Sequence, residues 1–196
     1  MPMSKKEAIL KAAIDLFAER GFNATATSAI AKTANVAEGL IFHYFQNKNG
    51  ILAHILIDML GNYIESAKNE INRSRTGLEA IENYILFHFR FSKKRSKEVV
   101  VLTRDFPTDL LQPGSVYREE ITARLDLSLN LVKNCLKKGQ KDGSIQKVPI
   151  EKTAFIIQGM LIGALHFKLK MPNTPEMSLL STEILNFCRR SLAAEI

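Results

Sequence analysis

Apolar residues recur at three- and four-residue intervals along nearly the whole chain, a helical period. The first stretch puts Ala8, Ile9, Ala12, Ala13, Leu16 and Phe17 on one face. Ser4 followed by Glu7 has the spacing of a capping box that opens this helix, and Gly21 stands where a helix is expected to end. A second short helix is expected to start at Thr25, whose hydroxyl can cap it, and to turn Ile30 and Ala31 inward. A third spans Ala37 to Tyr44. Asn47 then caps a long helix through Ile51, Leu52, Ile55, Leu56, Met59, Leu60, Tyr63, Ile64, Ala67 and Ile71. If it runs to Arg75 it is about 40 Å long, at about 1.5 Å per residue.

The pattern restarts after Thr76-Gly77 with Ala80, Ile81, Tyr84, Ile85, Phe87, His88 and Phe91, and again from Lys97 to Asp105. Pro107 and Pro113-Gly114 mark a loop, a helix follows from Val116 to Lys141, and Asp142-Gly143 stops it. Two closing helices, Pro149 to Met171 and Glu176 to Ala194, are separated by Pro172-Asn173-Thr174-Pro175. The first of them is apolar almost all round, so most of its sides need cover, and Gly159 with Gly163 lets another helix approach closely. Periodicity leaves two arrangements open for this pair: half of an intermolecular four-helix bundle, or ordinary core packing within one chain. No stretch alternates as a strand does. The expected fold is all-α, with an N-terminal three-helix bundle over residues 1–46 and a helical domain over residues 47–196.

A formal charge of +7 on 196 residues favours acidic partners such as nucleic acid. Much of the excess, however, lies in Arg90, Lys93, Lys94, Arg95 and Lys97 and in Lys133, Lys137, Lys138 and Lys141, runs that read as solvated helix faces. Cys135 and Cys188, the only cysteines, read as two buried, reduced thiols. Residues Met1 to Lys6 lead into an amphipathic pattern rather than a signal-peptide core, and the apolar stretch Ala154 to Phe167 falls short of the roughly 20 residues a bilayer requires. A cytoplasmic protein with no membrane partner is expected. His43, His54, His88 and His166 are scattered, with no metal-binding His or Cys spacing and no glycine-rich phosphate loop. Neither enzymatic activity, a metal nor a cofactor is expected, and His88 and His166 read as satisfied core histidines.

Two short helices joined by Ala34-Asn35-Val36 have helix-turn-helix geometry, in which the second helix can enter a major groove. Periodicity alone also fits a three-helix subdomain without that role. The residues decide it. Ile9-Leu10-Lys11-Ala12-Ala13, Leu16-Phe17-Ala18-Glu19-Arg20-Gly21-Phe22, Ala24-Thr25, Ile30-Ala31, Ala34-Asn35-Val36, Gly39-Leu40-Ile41-Phe42-His43-Tyr44-Phe45, Asn47-Lys48 and Leu52, read in order and without a gap, resemble the DNA-binding signature of the TetR family.

That resemblance implies a transcriptional regulator, most often a repressor, that reads a palindromic operator in double-stranded DNA as a homodimer joined through its last two long helices. It implies that Thr25 caps the second helix and faces a phosphate, that Thr27 and Ser28 lie on its exposed first turn, and that Ala37, Glu38, Leu40 and His43 present to base edges. Gly39 would permit close approach, and Tyr44 and Lys48 would hold phosphates. Ile41, Phe42 and Phe45 read as packing residues. Asn35 replaces the usual turn glycine and tolerates the left-handed conformation. Ala37 stands in place of a serine cap, and Glu38 in place of a common lysine, where its charge suits the helix dipole but repels phosphate.

The resemblance also implies an apolar effector pocket in the larger domain, for which Phe87, Phe91, Phe106 and Tyr117 are the candidate lining. A small lipophilic effector is expected, with any negative group met by Arg90, Arg104 or Arg118. The alternative is a helical small-molecule or lipid-binding protein with little sequence-specific DNA readout, which Ala37, Glu38 and Phe42 suggest.

Overall fold

The capping box forms as the spacing requires: the Glu7 amide donates to Ser4 Oγ at 3.2 Å and the Ser4 amide to Glu7 Oε2 at 2.8 Å. These bonds hold the Glu7 carboxyl below the usual carboxylate range. They open α1 (Lys5–Arg20), which ends at Gly21 with φ of 92°. A computed structural model describes residues 3–105, 108–171 and 173–194. Among the described residues the elements are α-helices, one 3-10 turn and a single isolated bridge between Ile145 and Ala193, with no strand. The all-α expectation holds. After α1 come α2 (Thr27–Thr33), α3 (Gly39–Phe45), α4 (Lys48–Ile71), α5 (Gly77–Lys94) and α6 (Ser96–Arg104). A 3-10 turn (Thr108–Leu111), α7 (Arg118–Asp142), α8 (Ile150–Lys170) and α9 (Met177–Leu192) complete the order.

The chain divides into two compact units, Met1–Leu60 with Arg95–Ala123, and Gly61–Lys94 with Arg124–Ile196. The division differs from a break at residue 46 because α4 is one continuous helix contributing to both units and α6 packs on α1. In the first unit Ile9, Ala13, Phe17, Ile30, Ile41, Phe45, Ile51 and Ile55 form a sealed core. Lys97 Nζ pairs with Asp15 Oδ1 at 2.5 Å, and the Arg104 guanidinium donates to the Phe17 and Ala18 carbonyls, so α6 is tied to the C-terminal half of α1. Gly50 is required there: a Cβ on it would overlap the Phe45 carbonyl oxygen, where α4 passes the end of α3.

In the second unit Ala67, Ala80, Ile81, Tyr84, Ile85, Val132, Leu136, Ala154, Ile157 and Leu161 are buried together. Helix α5 packs on α9, and α9 on α8. Cys135 and Cys188 are buried free thiols, and burial pushes them to about 12 and about 11. α8 is less enclosed within the chain than its composition suggests. Ala154, Ile157 and Leu161 are buried, whereas Phe155, Ile156, Ile162 and Phe167 are at least half exposed. α9 likewise exposes Leu179 and Phe187. α4 ends at Ile71, four residues short of the expected Arg75, because the chain turns there to bury Ser74, whose carbonyl accepts from Lys138 Nζ at 2.7 Å.

Candidate functional site

The first unit builds its candidate surface from α2, α3 and the turn between them. Ile30 and Ala31 on α2, and Ile41 and Phe45 on α3, are buried in the core, which fixes the opposite faces outward. Asn35 takes φ of 51°, the left-handed conformation expected of it, and its turn sets the two helices. Ser28, Ala37, Glu38, Gly39, His43 and Tyr44 are exposed, and Thr27 and Leu40 are half-buried. Thr27 Oγ1 donates to Glu38 Oε1 at 2.7 Å, joining the first turn of α2 to the start of α3. The bond spends the Thr27 proton and fixes the Glu38 carboxylate at the surface. Gly39 has no role in the fold that a side chain would spoil, since an added Cβ would meet nothing within 4 Å. The backbone of α3 is bare at that point.

Four residues are placed otherwise than expected. Thr25 does not cap α2: it is buried, its hydroxyl donates to the Gly21 carbonyl at 2.7 Å, and the helix begins after Ala26 without a side-chain cap. With its amide donating to the Phe22 carbonyl as well, Thr25 locks the α1–α2 turn. The Lys48 ammonium also points inward, donating to the carbonyls of Phe22, Asn23 and Thr25 at 2.9, 3.4 and 3.1 Å and lying 4.5 Å from the Phe22 ring centroid. Asn47 does cap α4, accepting from the Gly50 amide at 2.9 Å. Phe42, expected to pack, is 51% exposed, at the edge of the buried face that Ile41 and Phe45 form on α3. α3 itself starts at Gly39, so Ala37 belongs to the approach to the helix rather than its first turn.

In the second unit an aromatic cluster surrounds Tyr63, whose ring lies 5.2 Å from both Phe87 and Phe91 and 6.1 Å from Tyr84. Phe87 is buried and Phe91 half-buried. Tyr117 is not with them. It belongs to the first unit, 6.2 Å from the His54 ring, and Phe106 lies outside the described residues. The arginines are placed elsewhere too: Arg90 pairs with Glu70 at 3.1 Å, Arg104 holds α1, and Arg118 is exposed at the start of α7.

Sequence reasoning missed the polar groups inside the second unit. Tyr63 Oη and His88 Nδ1 are 3.0 Å apart, and Tyr84 donates to Gln158 Oε1 at 2.9 Å, with Ser128 Oγ 3.5 Å from both Tyr84 and Gln158. His88 is not the fully satisfied histidine expected, because its Nε2 is buried without a hydrogen bond. His166 is exposed rather than in the core. Burial lowers His88 from 6.5 to about 4, opposed by the nearby Leu161 carbonyl, and burial raises both Tyr63 and Tyr84.

Residues 9–55, which include α2 and α3, match the family model of the bacterial regulatory proteins, tetR family. A fatty acid metabolism regulator protein of Bacillus subtilis is 30% identical over 139 residues, covering 71% of this chain and 70% of that protein. The chain belongs to the tetR family. Among solved structures of this family fold, the transcriptional regulator FadR of Bacillus subtilis, in complex with stearoyl-CoA, aligns over 94% of this chain and 97% of its own with a TM-score of 0.80 and 25% identity. The fatty acid degradation regulator FadR of Bacillus halodurans shares the fold, with a TM-score of 0.80 over 95% of each chain at 23% identity. Membership makes this chain a helix-turn-helix transcriptional regulator, and no helix among the described residues is long and apolar enough to cross a membrane.

Proposed function

We propose that the protein is a homodimeric repressor of the cytoplasm that reads a palindromic operator and releases it when a long-chain acyl compound binds the second unit. The observation that carries the DNA half is the outward face of α2 and α3, where Ser28, Ala37, Glu38, Gly39, His43 and Tyr44 are exposed over a core made by Ile30, Ala31, Ile41 and Phe45. Leu40 and Phe42 add apolar surface suited to a thymine methyl, and Glu38 can accept from a cytosine amino group. Tyr44 and Ser28 are the phosphate-holding candidates, with Lys48 and Thr25 setting the frame behind them. The acyl class comes from the stearoyl-CoA of the Bacillus subtilis relative and the regulator of fatty acid metabolism that resembles this chain.

Dimerisation is supported by the uncovered face of α8 and α9. Phe155, Ile156, Ile162, Leu179 and Phe187 are exposed there, with Gly159 and Gly163 offering open backbone for a second helix. A ligand acts by binding one conformation of the dimer better than the other, so the population shifts away from the one whose heads match two half-sites. A helical lipid-binding protein without DNA readout is the second reading, favoured by the surface carboxylate of Glu38 and the inward turn of Lys48. The test is selection of random duplex DNA by purified, delipidated protein, followed by titration of the recovered duplex complex with stearoyl-CoA. The repressor reading expects a palindrome and its release. Ligand binding with only sequence-independent DNA affinity supports the second reading instead.

A further inference from the structure

Positive charge is divided unevenly between the two units. The first, which carries α2 and α3, holds ten Lys and Arg against ten Asp and Glu, whereas the second holds seventeen against ten. The net charge of +7 therefore belongs to the unit without the helix-turn-helix. Part of it gathers at one end of that unit, where segments distant in sequence meet. Lys138 Nζ donates to the Ser74 carbonyl at 2.7 Å, the Gly77 amide to Asp142 Oδ2 at 2.8 Å and the Leu78 amide to Ser144 Oγ at 3.1 Å. A Cβ on Gly77 would overlap the Gly139 backbone, so the start of α5 lies directly on the end of α7. These contacts bring Arg73 and Arg75 of the α4–α5 turn to the same end as Lys137, Lys138 and Lys141 of α7. Lys147 follows on a loop that Gln140 holds through the Gln146 and Val148 carbonyls.

We infer that this end of the second unit is a sequence-independent site for the phosphate backbone of duplex DNA, separate from the face of α2 and α3. The acids beside it are engaged. Asp142 is held below the usual carboxylate range by the Ser144 hydroxyl and by the Ser144 and Gly77 amides, and Glu79 accepts from the Arg75 amide at 2.7 Å. Arg73, Lys137, Lys141 and Lys147 are exposed and form no ion pair with an acid among the described residues. Helix dipoles favour cations only within the last turn, which leaves Lys137 and the loop residue Lys147 without that explanation. Between residues 71–78 and 137–149 no large apolar side chain is exposed, so the surface lacks the anchor that a protein partner or a bilayer takes. A phosphate backbone asks only for cations, and non-specific DNA affinity comes almost wholly from them. The first unit, neutral overall and with Lys48 turned inward, supplies few.

The test is the salt dependence of binding to a short labelled non-operator duplex, read by anisotropy on three full-length proteins. They are the wild type, a triple variant Arg73→Gln, Lys137→Gln and Lys141→Gln, and a control triple variant Lys93→Gln, Lys94→Gln and Lys170→Gln that removes the same charge from exposed positions elsewhere in the second unit. Each phosphate contact contributes about 0.9 to the slope of log K against log salt, so the first variant is expected to lose about 2–3 and the control less than about 0.5. Unchanged helicity by circular dichroism establishes that both fold. Selection of random duplex by the first variant returns the wild-type consensus, because α2 and α3 are untouched. Equal slopes in all three proteins, an equal fall in both variants, or no binding by the wild type at low salt overturns the inference. So does loss of binding to phosphatidylserine vesicles in the first variant with its DNA slope unchanged, which assigns the surface to a membrane. A wild type that yields no consensus but keeps the difference between the variants sinks the operator reading and leaves this inference standing.

Discussion

Replacing Lys48 with methionine separates a structural lysine from a phosphate clamp. The Lys48 ammonium donates to three carbonyls of the α1–α2 turn and lies 4.5 Å from the centroid of Phe22. Two of the bonds, to Phe22 and Thr25, are part-buried, and the third, to Asn23, is exposed. At about 1 kcal/mol for each part-buried bond, and about 0.5 kcal/mol for the cation over the ring, Lys48→Met costs about 2–3 kcal/mol of stability. For a chain of this size that lowers Tm by about 4–12 °C. The second readout is the salt dependence of operator binding, measured by anisotropy of a labelled duplex. Each neutralised phosphate contributes about 0.9 to the slope of log K against log salt. Because the ammonium is turned inward, the slope of the variant stays within about 0.3 of wild type even though affinity falls with the loosened turn. A variant of unchanged Tm whose slope drops by about 0.9 for each head would show that Lys48 reaches DNA, and the reasoning would be wrong.

Three further outcomes follow from the same structure. Phe155→Glu with Phe187→Glu places charge on the exposed apolar face of α8 and α9 without touching either core, so sedimentation should give a monomer of unaltered helicity; a persistent dimer would place the interface elsewhere. Gly39→Val adds its Cβ where nothing lies within 4 Å and should leave Tm within about 2 °C, yet weaken operator binding by at least about tenfold if DNA approaches the bare backbone there; unchanged affinity refutes that approach. Folded His88 remains neutral down to about 4, whereas in the unfolded chain it protonates below its ordinary 6.5. The unfolded state therefore binds more protons between those values, so the His88 contribution is fully present above pH 6.5 and is lost as pH falls towards 4, by up to about 3 kcal/mol. His88→Phe should remove that part of the pH dependence in denaturant titrations, and an unaltered profile would mean the imidazole is not buried neutral.

The helices were legible because their signals are local. Ser4 and Glu7, Gly21, Asn35, Asn47 and Gly143 each act on the few residues beside them, and all take the capping or turn geometry their chemistry favours. The placements that differed depend on groups outside the regular helical repeat, some of them distant in sequence. Lys48 finds carbonyls more than twenty positions away, Thr25 turns back to Leu16 and Gly21, and Gly50 is fixed by the Phe45 carbonyl. A threonine or lysine in a DNA-binding signature carries no mark of which way its polar end points. The aromatic residues of the larger domain were separable only by the fold, which puts Phe87 and Phe91 in one unit and Tyr117 in the other. His88 was legible as a core residue, but its pairing with Tyr63, 25 positions away, appears only in the fold.

The claim on which the account turns is that the outward face of α3 reads base sequence. Selection of random duplex DNA should be run in parallel with the wild type and with His43→Ala and Glu38→Gln, at about physiological salt. The account predicts a palindrome from the wild type with half-site centres about 34 Å apart. It predicts the same spacing from the variants, with base preference relaxed or altered at one position in each half-site. An identical consensus from all three proteins, or none from the wild type, would contradict it.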